Sequence, residues 1–289
     1  MDRNAGTAPS DEVGPGSVNK LTGDYSLSAS DASAFGLSVL RSVSSRQPTA
    51  GGDAEGQVAI FGPQWTAGTT ADLSDYAYLR QTSSTSVAVV DAEGKETGFT
   101  ATSGGGWKSE PGSEELTLTG SLTGSFTLKD TSGTTTTFAK VDPAATTWQV
   151  STTYLPTDNS TTTVVSEKVV SGSLTLGRPR YVIAPTSAVT SSTCAATPST
   201  KGCRVMEYVY AISTTATSSA FGDYNGQVKQ IKLWATGPGS APPPYRNGPV
   251  RVRRLRPAAG ELGPTDLAGA EDRLHLRQRG PGRHPDAAR

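Results

Sequence analysis

Two segments of the chain, VAVVDAEGKETGF (87–99) and GSFTLKDTSGTTTTF (124–138), carry the same punctuation: Asp, two residues, Gly, four residues, Phe. Asp91, Gly94 and Phe99 answer to Asp130, Gly133 and Phe138 at a constant offset of 39 positions. An Asp three residues before a Gly, between β-branched and apolar residues, predicts a tight hairpin reversal. The carboxylate accepts from nearby backbone amides, and Gly takes positive φ without a Cβ clash. Each Phe then falls a fixed distance into the return strand, so both rings are expected on the same face of a sheet. A chain that repeats its turns repeats its hairpins.

Composition carries the same reading over the rest of the sequence. Ser and Thr are abundant, Gly (32) and Pro (19) interrupt helices, and only 18% of residues are charged. The fold class expected is all-β: an antiparallel meander of hairpins forming part of a curved sheet, with disordered termini. Strand candidates are 35–43, 86–90, 116–120, 125–129, 134–141, 146–154, 161–170, 173–177, 180–184, 204–212 and 227–235. In 204–212 the alternation places Met206, Tyr208, Tyr210 and Ile212 on one face, opposite Val205, Glu207 and Val209. The best helical attempt, DLSDYAYLRQ at 72–81, is shorter than three turns. Around residue 60 the pattern loosens, and Phe61 and Trp65, flanking Gly62 and Pro63, are expected to bury two rings as a structural plug.

The neutral total hides an asymmetry. Residues 1–237 hold 16 Lys and Arg against 21 Asp and Glu, a net −5, whereas residues 238–289 hold 10 against 5, a net +5. The expected organisation is a disordered lead-in (1–20), a β-rich region (21–237) and a low-complexity Arg/Pro/Gly tail (238–289). The N-terminus has no apolar signal-peptide core, and no run approaches the roughly 20 apolar residues of a membrane span. Cys194 and Cys203 bracket TCAATPSTKGC, whose Pro and Gly turn the chain back, making them a disulfide candidate that points to an exported protein.

Several chemistries find no residues. Both histidines, His275 and His284, lie in the tail, so the β region holds no Ser-His-Asp, Cys-His or His-based zinc site. No P-loop or dinucleotide fingerprint occurs. The expectation is no catalytic, cofactor-binding or metal-binding residues, no cofactor and no enzyme. The nearest carboxylate cluster is Glu110, Glu114 and Glu115, which reads as an exposed acidic loop; Asn159-Ser160-Thr161 fits a glycosylation sequon.

In their order along the chain, these segments resemble one family, the RHS or YD-repeat proteins, which include bacterial secreted toxins and the animal teneurins. GLSVLRSVSSR (36–46) followed by FGPQW (61–65) is similar to the family's opening region, with Gln64 where Gly is usual. The two D-x-x-G hairpins resemble those that follow it. EYVYA with GQVKQIKLWA, within 207–235, resembles a degenerate YD unit with an inserted loop. The resemblance covers about 36–236 and implies a continuous sheet closing as a hollow shell around a C-terminal effector. The implied role is structural: a non-enzymatic fragment of a secreted or cell-surface protein, partnered by the rest of the shell and its cargo, without nucleic acid or membrane span. The alternative is a carbohydrate-binding or adhesive β-sandwich module recognising a cell-surface glycan, for which Trp107, Trp148 and Tyr154 are the candidate platform.

The tail reads as a shifted reading frame. It holds ten Arg and no Lys, as a GC-rich gene gives when read out of frame. Codons allowed for Arg251 to Glu261, read one nucleotide later, give Ala-Tyr-Asp-Ala-Ser-Gly-Arg-Leu-Arg-Glu. Those allowed for Asp272 to Gly282 give Thr-Ala-Tyr-Thr-Tyr-Asp-Ser-Ala-Gly-Arg. Both contain Tyr-Asp repeat units in the same frame. The frame change is expected between Thr236 and Val250, and the tail itself is expected to be disordered.

Overall fold

A computed structural model describes residues 9–45, 56–68, 76–92, 94–186 and 189–235. The expectations for the first eight residues and for the tail at 238–289 lie outside these described residues.

The chain is nearly all β, in antiparallel hairpins distributed over two sheets. The first sheet has five strands in sequence order: β1 (Ser10–Val13), β2 (Gly16–Asn19), β3 (Tyr25–Ala34), β4 (Leu37–Ser44) and β5 (Thr66–Gly68). The second has 12 strands. It comprises β6 (Tyr76–Ser83), β7 (Ser86–Asp91), β8 (Glu96–Ala101), β9 (Trp107–Ser109), β10 (Thr117–Gly120), β11 (Phe126–Lys129), β12 (Thr135–Ala139), β13 (Thr147–Leu155), β14 (Ser160–Ser171), β15 (Leu174–Ile183), β16 (Arg204–Tyr210) and β17 (Val228–Ala235). Its main path runs β17-β16-β15-β14-β13-β6-β7-β8-β9, and β10, β11 and β12 form a branch that also pairs with β13. Strand β13 holds both arms because it is long: its first residues pair with β6 at Thr147↔Arg80, and its last with β14 at Thr152↔Thr163.

Side-chain alternation divides this sheet into two environments. Leu118, Phe126, Leu128, Phe138, Trp148, Val150, Val164, Val182, Met206 and Ile231 belong to one buried cluster, which β4 joins through Leu37 and Val39. On the other face, registered pairs set Thr119, Thr127, Thr137, Thr152 and Thr163 in one row across five neighbouring strands. Threonine suits such a half-solvated pleated face, where its methyl packs laterally and its hydroxyl meets water. Farther along, that row reaches Ile183 and Val205, which a second apolar cluster covers.

Four sequence expectations are corrected. Residues 10–13 and 16–19, assigned to an unstructured lead-in, form the β1–β2 hairpin. Its strands are polar and lack an apolar alternation; the turn is set by Gly14 at φ +59°, and Gly16 lies so close to β3 that a Cβ there would come within 2.3 Å of the Ser26 carbonyl oxygen. The segments 173–177 and 180–184 are one strand, β15. Pro179 sits beside a register shift opposite Val165 and Ser166, where its missing N–H costs no regular ladder bond. Among the described residues a single helix, α1 (Ser191–Ala196), is present where none was expected, started by the Thr190 side chain accepting from the Thr193 amide. Ile212, placed on the Tyr208 face, lies beyond the end of β16 and is exposed, whereas Met206 and Tyr208 are buried as the alternation requires.

Candidate functional site: repeated turns, a strap and an open edge

The two matching segments fold into hairpins with the same turn. In the first, joining β7 to β8, the Gly94 amide donates to the Asp91 carbonyl at 3.0 Å and the Asp91 amide to the Lys95 carbonyl at 3.0 Å. The Lys95 amide donates to Asp91 Oδ1 at 2.8 Å. In the second, joining β11 to β12, the corresponding distances for Asp130, Gly133 and Thr134 are 3.2, 3.2 and 2.9 Å. Gly94 and Gly133 have φ of +82° and +88°, the left-handed conformation in which a Cβ is strained. Five residues beyond each Gly, Phe99 and Phe138 enter the same buried cluster.

The same turn occurs once more with a different first letter, and a variant of it occurs at a fourth reversal. Between β8 and β9, Thr102 carries the Gly106 amide on Oγ1 at 3.1 Å, and its carbonyl accepts from Gly105, which has φ +85°. The variant lies between β10 and β11, where Ser121 accepts from Gly124 through both its carbonyl, at 3.1 Å, and its Oγ, at 3.2 Å, and where Gly124, unlike Gly94, Gly105 and Gly133, does not take positive φ. Sequence reading for Asp missed these two. A search for Asp, Ser or Thr three residues before Gly finds all four, since any short side-chain oxygen can accept there. Replacing Asp130 by Ala removes one such acceptor, for an expected loss of about 1 kcal/mol measured by urea unfolding, while Asp130→Ser retains most of it.

The segment at 56–68 ties distant parts of the chain together. Gln149 Nε2 on β13 donates to the Gly56 carbonyl at 3.1 Å, and the Val228 amide at the start of β17 donates to the Ile60 carbonyl at 2.8 Å. Buried Gln57 closes the loop by exchanging two bonds with Ala67: Nε2 to its carbonyl at 2.9 Å, and its amide to Oε1 at 2.7 Å. The expected plug residues need correction. Phe61 and Trp65 are half-buried, and the deep side chains here are Val58 and Ile60. Gly62 at φ +106° and Gln64 at φ +71° turn the chain outward, carrying Pro63 and Gln64 to solvent and both rings with them only part-way in. Gln64 therefore occupies the left-handed position that the family resemblance assigns to Gly. Gln64→Gly relieves that strain, and a gain of about 0.5–1 kcal/mol is expected in the same unfolding measurement.

Trp65 has another role. The Arg41 guanidinium lies over its ring at 4.5 Å and pairs through Nε with Asp31 Oδ2 at 2.7 Å. Asp31 is the extra residue of a bulge between Ser30↔Leu40 and Ala32↔Val39, which re-aims its carboxylate toward Arg41. Burial holds the Asp31 carboxyl above its ordinary range, and the adjacent Arg41 charge opposes that rise. Burial and the Asp31 charge also raise the Tyr208 phenol, whose hydroxyl has no partner among the described residues.

Cys194 and Cys203 are joined by a disulfide with Cα atoms 5.6 Å apart. Both sulfur-bearing residues are buried with Tyr181, Ile183 and Val205, fixing α1 and its loop onto the outer face of β15 and β16. The candidate ring platform is dispersed. Trp148 is fully buried, its ring centroid 5.0 Å from that of Phe126 in an edge-to-face contact and its Nε1 donating to the Gly124 carbonyl at 2.7 Å. Trp107 meets the other side of Phe126 at 5.3 Å and donates to the Gly120 carbonyl. Tyr154 is half-buried and donates its hydroxyl to Asn159 Oδ1 at 3.2 Å. The cleft beside it, about 450 Å³, is lined by hydroxyl and aliphatic residues such as Thr161, Thr163, Ile183 and Thr186 and contains no aromatic ring. Of the acidic cluster, Glu114 is fully exposed and accepts from the Gly112 amide, which lowers its carboxyl below the ordinary value, the opposite of what a general acid needs. Asn159 is exposed at the β13–β14 turn, with φ +47°.

No protein-family model matches the chain, and no curated protein matches it. The repeated turns, the strap at 56–68 and the far strand β17 are therefore the features on which a functional reading rests. Among the described residues, β17 pairs with β16 along one edge, and the strap touches its other edge only at Val228.

Proposed function

We propose that this chain is a stretch of a repeat-built β wall of the RHS/YD type, from an exported protein whose shell encloses and delivers a C-terminal effector. The observation that carries this reading is the recurrence of one turn at three reversals, with a variant at a fourth: repetition of that kind lengthens a sheet by adding like hairpins to it. Two further features support it. Two of the three rings that a glycan platform would display, Trp107 and Trp148, are engaged in packing against Phe126. Among the described residues the sheet also ends on β17, and the strap's backbone bond to its outer edge is at Val228. On this reading the partners are the remainder of the wall and its cargo, the setting is secreted or cell-surface, and the Arg-rich tail is the wall's continuation in a shifted frame.

The gene's nucleotide sequence tests the reading. The plus-one frame downstream of the codon for Thr236 is expected to encode further Tyr-Asp units separated by Gly. Stop codons through that frame, or the absence of Tyr-Asp pairs, would refute it.

A further inference from the structure

The two connections at one end of the large sheet carry large apolar side chains that are exposed. Val170 and Leu174 flank the β14–β15 turn at 65% and 51% exposure, and Ile212 and Phe221 stand on the β16–β17 connection at 94% and 88%. Both connections lie at the same end of the sheet, because β14 and β16 finish there while β15 and β17 begin. Arg178 of β15 fixes the second beside the first: its guanidinium lies 3.7 Å over the Tyr210 ring and donates to the Gly226 carbonyl at 3.3 Å.

The β16–β17 connection is built to hold its shape. Its arms are joined at the root by the Ala211 amide to the Gln227 carbonyl (2.9 Å) and the Gly226 amide to the Ala211 carbonyl (2.8 Å). Midway, the Thr215 amide donates to the Asp223 carbonyl at 2.7 Å, and the Asp223 amide to Thr215 Oγ1 at 2.8 Å. Near the tip, the Thr217 amide meets the Ala220 carbonyl at 3.0 Å. Gly222 lets the arms close, since a Cβ there would lie 2.4 Å from the Ala216 nitrogen. Phe221 is thus held in water by an ordered scaffold, a placement that gives the folded chain no hydrophobic return.

The chemistry around these side chains identifies what they meet. Residues 211–222 and 169–175 contain no charged side chain, only apolar, Gly, Ser and Thr residues. The nearest charges sit one step behind and are paired: Lys168 with Asp142 at 2.6 Å, Arg178 with Glu167 at 2.6 Å, and Lys229 with Asp223 at 3.3 Å. Separate apolar side chains on two projecting tips, with hydroxyls beside them and no net charge behind, match the boundary between lipid headgroups and acyl chains. A protein pocket would be fitted by one contiguous convex patch instead. We propose that this end of the sheet is a shallow membrane-interface anchor that inserts Phe221 and Ile212, assisted by Val170 and Leu174, into the surface of a zwitterionic phospholipid bilayer. It lies on the bilayer and spans nothing.

The test uses the full chain with phosphatidylcholine vesicles. F221W is expected to shift its added emission to the blue on mixing and to be quenched by brominated acyl chains, relative to the parent chain measured in parallel. F221S and I212S each reduce the vesicle partition coefficient by about tenfold, as the loss of one buried large apolar side chain predicts. On these zwitterionic vesicles, raising salt leaves partitioning within about twofold, because the charges around the tips are paired. Both positions are exposed, so the circular dichroism of the variants should match the parent. Emission of F221W that ignores vesicles overturns the proposal, as does binding to phosphatidylcholine that survives both F221S and I212S. Concentration-dependent self-association in the absence of lipid that F221S abolishes also overturns it, assigning the tips to a second copy of the chain.

Discussion

Trp148→Ala is expected to destabilise the protein by about 3–5 kcal/mol, the range for deleting a large buried aromatic side chain. Trp148 is 0% exposed near the start of the long strand that joins both arms of the large sheet, in the part paired with β6. One edge packs against Phe126, its Nε1 satisfies the Gly124 carbonyl, and the Lys140 ammonium lies 4.5 Å over its ring. Its removal leaves a cavity beside Phe126 and an unpaired carbonyl in the Ser121 turn, so the loss has a packing part and a hydrogen-bond part. Trp148→Phe separates them by restoring much of the volume without the N–H. Urea denaturation should place Trp148→Phe between the parent and Trp148→Ala. A midpoint for Trp148→Ala close to the parent would show that the β10–β12 branch is not packed on β13 as described.

The disulfide gives the second large effect. Closing a loop across a sequence separation of nine is worth about 2.7 kcal/mol in the chain-entropy treatment. The double variant Cys194→Ala and Cys203→Ala should lose about that much and become insensitive to reductant, whereas the parent's urea midpoint falls when dithiothreitol is added. Here the bond does more than shorten the unfolded chain. The loop it closes covers Ile183 and Val205 on the face where the neighbouring strands carry threonine. The loss should therefore be concentrated at the α1 end, with faster amide exchange in β15 and β16 than in β7 and β8. Equal midpoints for parent and double variant, with and without reductant, would contradict this account.

The turns were the legible part of the sequence because their chemistry is local. Asp91 and Asp130 declare themselves by what stands three residues later, and the parity of Phe99 and Phe138 follows from the strand period. Thr102 and Ser121 serve the same purpose less visibly, in a sequence where Thr and Ser occur almost everywhere. What could not be read locally depends on distant partners. The β1–β2 hairpin has no apolar face to announce it and rests on contact with β3. Pro179 breaks a pattern in the sequence but falls at a register shift in the sheet, so one strand reads as two. The strap misled in a different way: Phe61 and Trp65 are its largest side chains, yet Gly62 and Gln64 turn them outward while Val58 and Ile60 go in. The partnership of Asp31, Arg41 and Tyr208 was hidden altogether, since a bulge and the meeting of two sheets bring these residues together. Ile212 shows the limit of periodicity, because alternation says which face a residue takes only while the strand lasts.

On the proposed reading, like hairpins extend one hydrogen-bonded wall and β17 receives the next of them. Amide exchange on β17 tests it most directly. In this chain, the amides of Val228–Ala235 that face away from β16 should exchange rapidly beyond Val228, whose amide is held by Ile60. In a chain continued in the plus-one frame after Thr236, the same amides should become as protected as those paired with β16. Unchanged rapid exchange along that edge in the continued chain would contradict the account.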